Sequence, residues 1–183
     1  MPIINFFYKK QYKKKIEQTL SVFKLRDLVI SIETINTCNG KCQMCPYDKM
    51  TRKKELMSMD LFKKIVDDCV NEGNNIFNLS FYNEPFLDPF IFERIKYIKS
   101  KGAHAQFFSN ASVMDKEKAD LVLESGLDRI NFSVDGATKE SYEAIRRGLN
   151  YEKMVENILY LVGRRKILNL KKPKITVVFV KQK

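Results

Sequence analysis

The sequence predicts an α/β fold in which about five parallel strands form a partial, open (β/α) barrel with helices on its outer face. Apolar, strand-like segments alternate along the chain with segments of helical periodicity, and such alternation is typical of βαβ units and a parallel sheet. Within the strands, polar and apolar residues also alternate. Because fully covered parallel strands are usually continuous apolar runs, this alternation predicts that one face of the sheet packs on helices and the other faces a cavity.

The elements follow in order from the spacing of apolar residues and from the positions of capping residues. Ser58 is placed as the N-cap of the first core helix, and Gly73 follows the end of that helix. The predicted strands span residues 28–34, 76–82, 103–109, 129–134 and 175–180. The predicted helices span residues 58–72, 88–100 and 116–124, and one or two further helices lie within residues 139–162.

The polar positions of the strands fall on one face of the predicted sheet. In the second strand, Asn78 and Ser80 alternate with apolar neighbours. Asn131 and Ser133 do the same in the fourth strand. A curved sheet with a polar inner face encloses a cavity that suits a polar ligand. Since the active sites of such barrels gather where strands end and loops begin, the loops after the strands are the segments in which we expect functional residues.

Length and the positions of these elements divide the chain into a basic leading helix over residues 1–26 and a core domain over residues 27–183. A chain of 183 residues is long enough for one well-packed domain. It stops soon after the fifth strand, which would leave a hydrophobic sheet edge of the kind that proteins normally cover. We therefore expect the core domain to be truncated at its C-terminal end.

Composition argues against a membrane-spanning protein and favours a cytoplasmic one. No apolar run approaches the length of a transmembrane helix, and the short apolar N-terminus lacks the order of charged and apolar regions of a signal peptide. The net charge of +11 permits a nucleic-acid partner, but the lysines are spread along the chain and no nucleic-acid motif accompanies them. We interpret the charge as a solvated surface and expect no nucleic-acid partner.

The spacing of three cysteines is the strongest chemical signal in the chain. Cys38, Cys42 and Cys45 follow the first strand with the spacing Cys-x3-Cys-x2-Cys. Clustered thiolates suit iron–sulfur clusters or zinc, and three ligands leave one coordination position open for chemistry. A structural zinc site would need a fourth ligand nearby, whereas the one histidine is His104 and three closely spaced cysteines cannot all pair as disulfides. Cys69 falls on the apolar face of a predicted helix, where we expect a buried hydrophobic residue.

These motifs resemble those of the radical S-adenosylmethionine (SAM) superfamily. The cysteine spacing matches, Asn83-Glu84-Pro85 looks like the family's Gly-Gly-Glu-Pro motif, and Ser133-Val134-Asp135-Gly136 looks like its Ser-hydrophobic-Asp-Gly motif. The resemblance runs from about Asp27 to the last residue. The residues around the cysteines look most like the branch that carries a C-terminal SPASM or twitch extension. The related family builds its open barrel from six strands, so one strand would be missing here.

The resemblance implies two cofactors, a [4Fe–4S] cluster held by Cys38, Cys42 and Cys45, and SAM chelated to the fourth iron. Reductive cleavage of SAM would then give a 5′-deoxyadenosyl radical that abstracts hydrogen from a substrate, which would be a peptide, a sugar or a small metabolite. An electron donor such as a flavodoxin or a ferredoxin is the implied partner. No acid, base or radical-quenching residue is assigned.

The same resemblance implies which residues contact SAM. Glu84 would meet the ammonium group, although the two glycines that precede it in the family are replaced here by Tyr82 and Asn83. Ordinary structural roles stay open for all of the candidates, such as strand-end capping, a loop tyrosine or a surface arginine. The residues implied to bind SAM are Met44, Tyr47, Asn83, Glu84, Pro85, Asn110, Ser133, Asp135 and Arg146.

The alternative interpretation is a non-catalytic iron–sulfur or zinc module that serves electron transfer or scaffolding. A fourth ligating residue would distinguish this module, because a fully ligated metal cannot bind SAM. In either case a positive charge beside the cysteines would favour their thiolate form. Lys41, Lys49 and Arg52 are the candidates for that charge.

Overall fold

The computed structural model of the protein describes residues 13–15 and 28–181. Of the predicted leading helix over residues 1–26, residues 13–15 are described and helical, and the remainder up to residue 26 lies outside the described residues. The strands are β1 (Ile30–Ser31), β2 (Ile76–Asn78), β3 (His104–Ser109), β4 (Arg129–Ser133) and β5 (Lys174–Val178). The helices are α1 (Met59–Asn71), α2 (Ile91–Ser100), α3 (Lys116–Glu124), α4 (Lys139–Ile145) and α5 (Tyr151–Ile167), with short 3-10 turns at Pro46–Lys49 and Pro85–Leu87.

The five strands form one parallel sheet in the order β1-β2-β3-β4-β5. Each strand therefore pairs with the next strand along the chain. Every connection between neighbouring strands carries at least one helix, as the crossover between parallel strands requires. The predicted fold class, an open α/β arrangement of five parallel strands with helices on its outer face, is confirmed.

The first two strands are shorter than the sequence predicts. The ladders of β1 and β2 cover two and three residues, whereas apolar alternation continues to residues 34 and 82. Beyond Leu79, backbone N–H groups donate to side-chain oxygens instead of to the carbonyls of the neighbouring strand. The backbone N–H of Phe81 donates to Asn83 Oδ1 at 2.7 Å, and that of Phe108 donates to Ser80 Oγ at 3.0 Å. These bonds end the β2 ladder and turn the chain at the carboxyl edge of the sheet.

The hydrophobic core lies between the sheet and the helices. It is built from fully buried side chains of both layers, namely Phe77, Phe107, Ile130 and Phe132 of the strands and Phe62, Val66, Ile95, Ile98, Val122 and Leu161 of the helices. The opposite face of the sheet carries Ser80, Gln106 and Ser133, which line cavities. The prediction of one apolar and one polar face is therefore confirmed. No helix among the described residues has the length and apolar character needed to span a bilayer.

A buried ion pair, absent from the sequence-based prediction, fixes the segment between β2 and α2. The side chains of Arg94 and Asp88 are both 0% exposed, and Arg94 Nε donates to Asp88 Oδ2 at 2.8 Å. Asp88 Oδ1 accepts a hydrogen bond from the backbone N–H of Phe90 at 2.8 Å, so α2 begins later than predicted. Arg94 also donates to the carbonyl of Met57. The pair thus joins the start of α2 to the loop that precedes α1.

Candidate functional site

Cys38, Cys42 and Cys45 lie together at the carboxyl ends of the strands, on the loop that follows β1. Their thiols are free and partly exposed, and all three line one cavity of about 280 Å³. Within the described residues, no three metal-ligating side chains converge as closely as they would around a single metal ion. The fourth cysteine, Cys69, packs against the core from α1 and lines a separate cavity with Ile30.

Backbone hydrogen bonds tie the cysteine loop to the C-terminal end of α4. The N–H of Lys41 donates to the carbonyl of Arg147, and the N–H of Gln43 donates to the carbonyl of Ile145, both at 2.8 Å. The two bonds satisfy the carbonyl of the last residue of α4 and one carbonyl just beyond the helix, which would otherwise need another partner. The position of the cysteine loop therefore depends on the connection between β4 and β5, which lies far along the chain.

The cavity gathers most of the residues that the resemblance implies for SAM. Six of them line it with the cysteines, namely Met44, Asn83, Glu84, Asn110, Ser133 and Arg146. Tyr47, Pro85 and Asp135 are not among the lining residues. Pro85 starts the 3-10 turn after Glu84, and Asp135 bonds to the side chain of Arg146. Tyr47 lies in the turn after the third cysteine, where Lys54 Nζ is 5.9 Å from the centre of its ring.

Glu84 is the buried acid of the cavity, with 1% of its surface exposed. Its Oε1 accepts from the hydroxyl of Ser109, and its Oε2 accepts from the backbone N–H of Asn110, both at 2.8 Å. Burial raises the pKa of the carboxyl to about 7, and the hydrogen bonds act in the opposite direction. No lysine or arginine of the described residues forms an ion pair with it. A buried acid without an adjacent cation fits a positively charged group of a ligand.

Arg146 connects the end of β4 to the cysteine loop. Its Nε donates to Asp135 Oδ2 at 2.8 Å, Nη2 bonds to the same oxygen, and Nη1 lies 3.6 Å from Cys42 Sγ. Burial raises the pKa of the Cys42 thiol, and the adjacent Arg146 lowers it. Arg146 is therefore the cation that contacts a cysteine sulfur. Arg52, a candidate from the sequence, instead forms an ion pair with Glu33 at 2.7 Å.

The turn after β4 depends on backbone positions that few residues tolerate. Asp135 has a φ of 61°, in the left-handed region. A Cβ atom on Gly136 would lie 2.3 Å from the backbone nitrogen of Tyr142, which is far inside the contact distance of the two atoms. Glycine at this position allows α4 to pack directly on the turn. The Asp-Gly pair of the motif thus sets where α4, and with it Arg146, lies.

Asn39, Ser112 and two aromatic residues at the site escaped the sequence-based prediction, whereas Asn110 was among its candidates. Asn110 Nδ2 donates to Asn39 Oδ1 at 3.0 Å, and Asn39 Nδ2 donates to Ser112 Oγ at 2.8 Å, so an amide network joins the cysteine loop to the end of β3. The aromatic rings of Phe81 and Phe108 also line the cavity and are 62% and 40% exposed. Phe108 and the polar Gln106 are two residues apart in β3 and therefore point to the same face of the sheet. This spacing was a signal that Phe108 faces the cavity.

A family model described as the radical SAM superfamily matches residues 32–169, which is more than half of the chain. The chain belongs to the radical SAM superfamily. The matched range includes the three cysteines, the Asn83-Glu84-Pro85 motif and the Ser133-Val134-Asp135-Gly136 motif. The superfamily expectation is thereby confirmed, and assignment to the SPASM or twitch branch stays a prediction.

Curated relatives of this radical SAM chain match over part of their length. It is 32% identical over 124 residues to a protein of Methanococcus maripaludis named "Probable GTP 3',8-cyclase", a match that covers 66% of the chain and 41% of the relative. It is 26% identical over 153 residues to the Fe-coproporphyrin III synthase of Methanosarcina barkeri, covering 78% of the chain and 38% of the relative. The chain thus spans less than half of the length of these relatives.

A solved structure supports the radical SAM fold. SuiB of Streptococcus suis, determined with bound S-adenosylmethionine, matches with a TM-score of 0.66 at 16% sequence identity. The match covers 98% of this chain and 46% of SuiB. At this level of identity the likeness confirms the fold, and the roles of individual residues must be argued from this chain.

Proposed function

We propose that Cys38, Cys42 and Cys45 hold a [4Fe–4S] cluster, that SAM binds in the same cavity, and that the whole protein is a radical SAM enzyme. The observation that carries this proposal is that the three thiols, the buried Glu84 and the guanidinium of Arg146 line one cavity. Clustered thiolates are the usual protein ligands of such a cluster. When bound, the cluster and SAM supply the one-electron chemistry that removes a hydrogen atom from a substrate.

Glu84 has the central role in binding SAM. The three thiolates leave one coordination position without a protein ligand, and Glu84 would accept hydrogen bonds from the ammonium group of SAM beside it. Ser109 and Asn110 hold the carboxyl in place. Pro85 starts the turn that closes behind it. The buried carboxylate of Glu84 then gains a positively charged hydrogen-bond partner, which none of the described residues supplies.

The remaining lining residues would orient the rest of SAM. Met44 is 37% exposed at the cavity and offers an apolar, polarizable surface to the adenine ring. Asn83, Asn110 and Ser133 line the cavity with polar groups that suit the ribose hydroxyls and the carboxylate. Tyr47 stays a candidate for an adenine contact from the neighbouring turn.

Arg146 would bind the carboxylate of SAM, with Asp135 as its positioning residue. Asp135 receives Nε and Nη2 of the guanidinium, so the positive charge is held at one place. The third nitrogen, Nη1, approaches Cys42 Sγ. A fixed cation that lies between the Cys42 thiolate and the carboxylate of SAM favours the charged form of both groups. This supports Arg146 as a residue that contacts both the cluster and the cofactor.

The proposed activity implies further partners. An electron donor such as a flavodoxin or a ferredoxin would reduce the cluster, and the substrate would be a peptide, a sugar or a small metabolite. The named relatives include a GTP cyclase and an iron-coproporphyrin synthase, so their names do not converge on one substrate. We place the protein in the cytoplasm, where reducing conditions keep the thiols available.

The alternative, a non-catalytic iron–sulfur or zinc module for electron transfer or scaffolding, requires a fourth protein ligand on the metal. His104 lines a cavity at the amino ends of the strands, and Cys69 lines another beside α1. Neither residue is therefore positioned to complete a fully ligated site with the three cysteines. This placement favours the enzyme over the module.

EPR spectroscopy of the anaerobically reconstituted, reduced protein tests the proposed function. A [4Fe–4S]⁺ signal is expected, and its shape should change when SAM is added because the cluster keeps one iron without a protein ligand. A cluster signal that does not respond to SAM would support the electron-transfer module. If no cluster assembles on the full chain, the proposed enzyme and the iron–sulfur module are both wrong, and the zinc module is the interpretation that is left.

Replacing Glu84 with glutamine is expected to weaken SAM binding roughly tenfold to a hundredfold and to leave the cluster intact. Glutamine keeps one acceptor oxygen for the donors of Ser109 and Asn110, but it lacks the charge that the ammonium group needs, and a charge-assisted hydrogen bond contributes roughly 1.5–3 kcal/mol. Equilibrium dialysis of SAM against cluster-loaded protein measures the change. Glu117→Gln, in the exposed first turn of α3, is the matched control. Unchanged affinity in the Glu84→Gln variant would remove Glu84 from the site.

A further inference from the structure

A second cavity opens at the amino ends of the strands, on the same polar face of the sheet as the cysteine cavity but at its opposite edge. Its volume is about 590 Å³. Its lining comes largely from residues that begin a strand or lie within two residues before one, among them Ile76, His104, Asp128, Arg129 and Lys172. Along β2, Asn78 lies between this cavity and the residues of the cysteine cavity, and its Nδ2 donates to Ser31 Oγ at 3.2 Å. The two cavities are therefore separate.

The single carboxylate of this cavity is already fully engaged. Asp128 Oδ2 accepts from Lys99 Nζ at 2.6 Å and from the backbone N–H of Ala105 at 2.9 Å. Asp128 Oδ1 accepts from Lys172 Nζ at 2.5 Å. Burial raises the pKa of Asp128, but the hydrogen bonds from both lysines outweigh burial and bring it to about 2. One negative charge therefore serves two ammonium groups.

Arg129 is the cation of this cavity that has no partner among the described residues. Its side chain lines the cavity at the start of β4, and the structure gives it no hydrogen bond or ion pair with a described residue. Its Nε is buried and unsatisfied in that part of the chain. A buried donor that lacks a partner destabilises the fold, and a guanidinium stays charged at any physiological pH. With Lys99 and Lys172, three positive charges face the one negative charge of Asp128.

We propose that this cavity binds a phosphoryl group, held by the guanidinium of Arg129 with the ammonium groups of Lys99 and Lys172 beside it. A guanidinium presents a planar fork of donors that matches the oxygens of a phosphate, and a doubly charged anion balances the excess of two positive charges. The volume leaves space for more than the phosphoryl group, so the ligand class is a small phosphorylated molecule or free phosphate. The proposal does not rest on the radical SAM function, because none of its residues lines the cysteine cavity.

His104 provides an internal reporter of this site. It is the one histidine of the sequence, it lines the cavity, and its Nδ1 lies 3.7 Å from Asp128 Oδ2. Burial lowers the pKa of the imidazole, the charges of Lys99, Arg129 and Lys172 lower it further, and Asp128 raises it. A phosphate dianion bound among these cations would offset their effect and raise the pKa of His104.

The test is a titration of the full chain with inorganic phosphate, followed through the imidazole NMR signals of His104 at constant ionic strength. Saturable signal shifts and an upward shift in the pKa of His104 are expected, and Arg129→Gln should weaken phosphate binding at least tenfold. Lys153→Gln, an exposed position on α5, removes the same charge elsewhere and should leave the affinity unchanged. Shifts that do not saturate, or an equal loss in Lys153→Gln, would mean diffuse attraction by a basic surface and would overturn the proposal.

A second variant keeps the test decisive if Arg129→Gln does not fold. The Lys172 side chain is 66% exposed, so Lys172→Gln should fold. It should weaken phosphate binding because it removes one positive charge and leaves the negative charge of Asp128 less neutralised. Replacing phosphate by pyrophosphate or by a sugar phosphate then distinguishes free phosphate from a larger phosphorylated ligand. Unchanged phosphate affinity in both the Arg129→Gln and the Lys172→Gln variants would refute the site.

Discussion

Replacing Cys42 with alanine should abolish assembly of the cluster, whereas replacing Cys69 with alanine should leave it intact. Cys42 lines the cavity with the two other motif cysteines, and Arg146 is the cation beside its sulfur. An iron–sulfur cube that keeps two of three protein thiolates loses an anchor that no other cysteine is placed to supply. We expect iron and sulfide content after anaerobic reconstitution to fall to a small fraction of that of the unmodified chain.

The Cys69→Ala variant is the matched control for this experiment. It removes one thiol from the same chain, but Cys69 lies in α1 and lines a separate cavity. Its iron content and visible absorption should therefore equal those of the unmodified chain. Full iron content in the Cys42→Ala variant would refute the assignment of the site, and loss of iron in both variants would point to general damage during reconstitution.

Replacing Arg94 with methionine should destabilise the protein by about 3–5 kcal/mol, because it leaves a buried aspartate without its partner. Asp88 and Arg94 are both 0% exposed, and the pair also engages the carbonyl of Met57. Methionine fills much of the volume of the arginine stem but returns no positive charge. Urea unfolding, with the cluster in the same state for every variant, measures the change in the free energy of unfolding.

Two further variants test whether the loss of stability in Arg94→Met comes from the buried, unpaired charge of Asp88. Arg164→Met breaks an ion pair with Asp120 whose side chains are 37% and 35% exposed, and it should cost less than about 1 kcal/mol. Adding Asp88→Asn to Arg94→Met removes the unpaired charge and should recover part of the lost stability, since an asparagine oxygen can still cap the backbone N–H of Phe90. Equal losses for Arg94→Met and Arg164→Met would contradict the argument.

The start of a helix could be predicted wherever a side chain caps its first turn. Ser58 Oγ accepts from the backbone N–H of Leu61, and Asp115 Oδ1 accepts from that of Lys118. α3 accordingly spans Lys116–Glu124, as the spacing predicts. Strand length was less predictable, because a ladder needs a partner as well as an apolar pattern. β1 can pair only along the three residues of β2.

Six of the nine residues predicted to contact SAM line the cavity with the cysteines, whereas the contacts between these residues could not be predicted. The motif residues stand out because they follow strands, and parallel strands end at one edge of the sheet. Arg146 and Cys42, however, are 104 residues apart, and Asn110 and Asn39 are 71 apart. The first contact depends on how α4 packs against the cysteine loop, and the second depends on how that loop meets the end of β3. No local pattern in the sequence contains that information.

The spacing of Arg94 in α2 matches that of the buried residues of the helix, but arginine is not a residue type that one expects in a core. Ile91, Ile95 and Ile98 form the buried stripe of the helix, and Arg94 shares their spacing. Arginine is almost never fully buried unless it is paired. Its partner Asp88 precedes the helix by a turn, in a segment that the apolar pattern had assigned to the helix itself. A charged residue on an apolar stripe is thus a signal to search for a buried counter-charge.

The cysteine loop is synthesised early and fixed late. Its three thiols precede in the chain the carbonyls of Ile145 and Arg147 that hold the loop, so those carbonyls belong to a segment that is made afterwards. As nascent chains emerge and fold from the N-terminus, the loop has no fixed geometry until α4 has packed on the turn at Gly136. We therefore expect loading of the proposed cluster to be a late step of maturation, before which the thiols of the nascent chain depend on reducing surroundings for protection from oxidation.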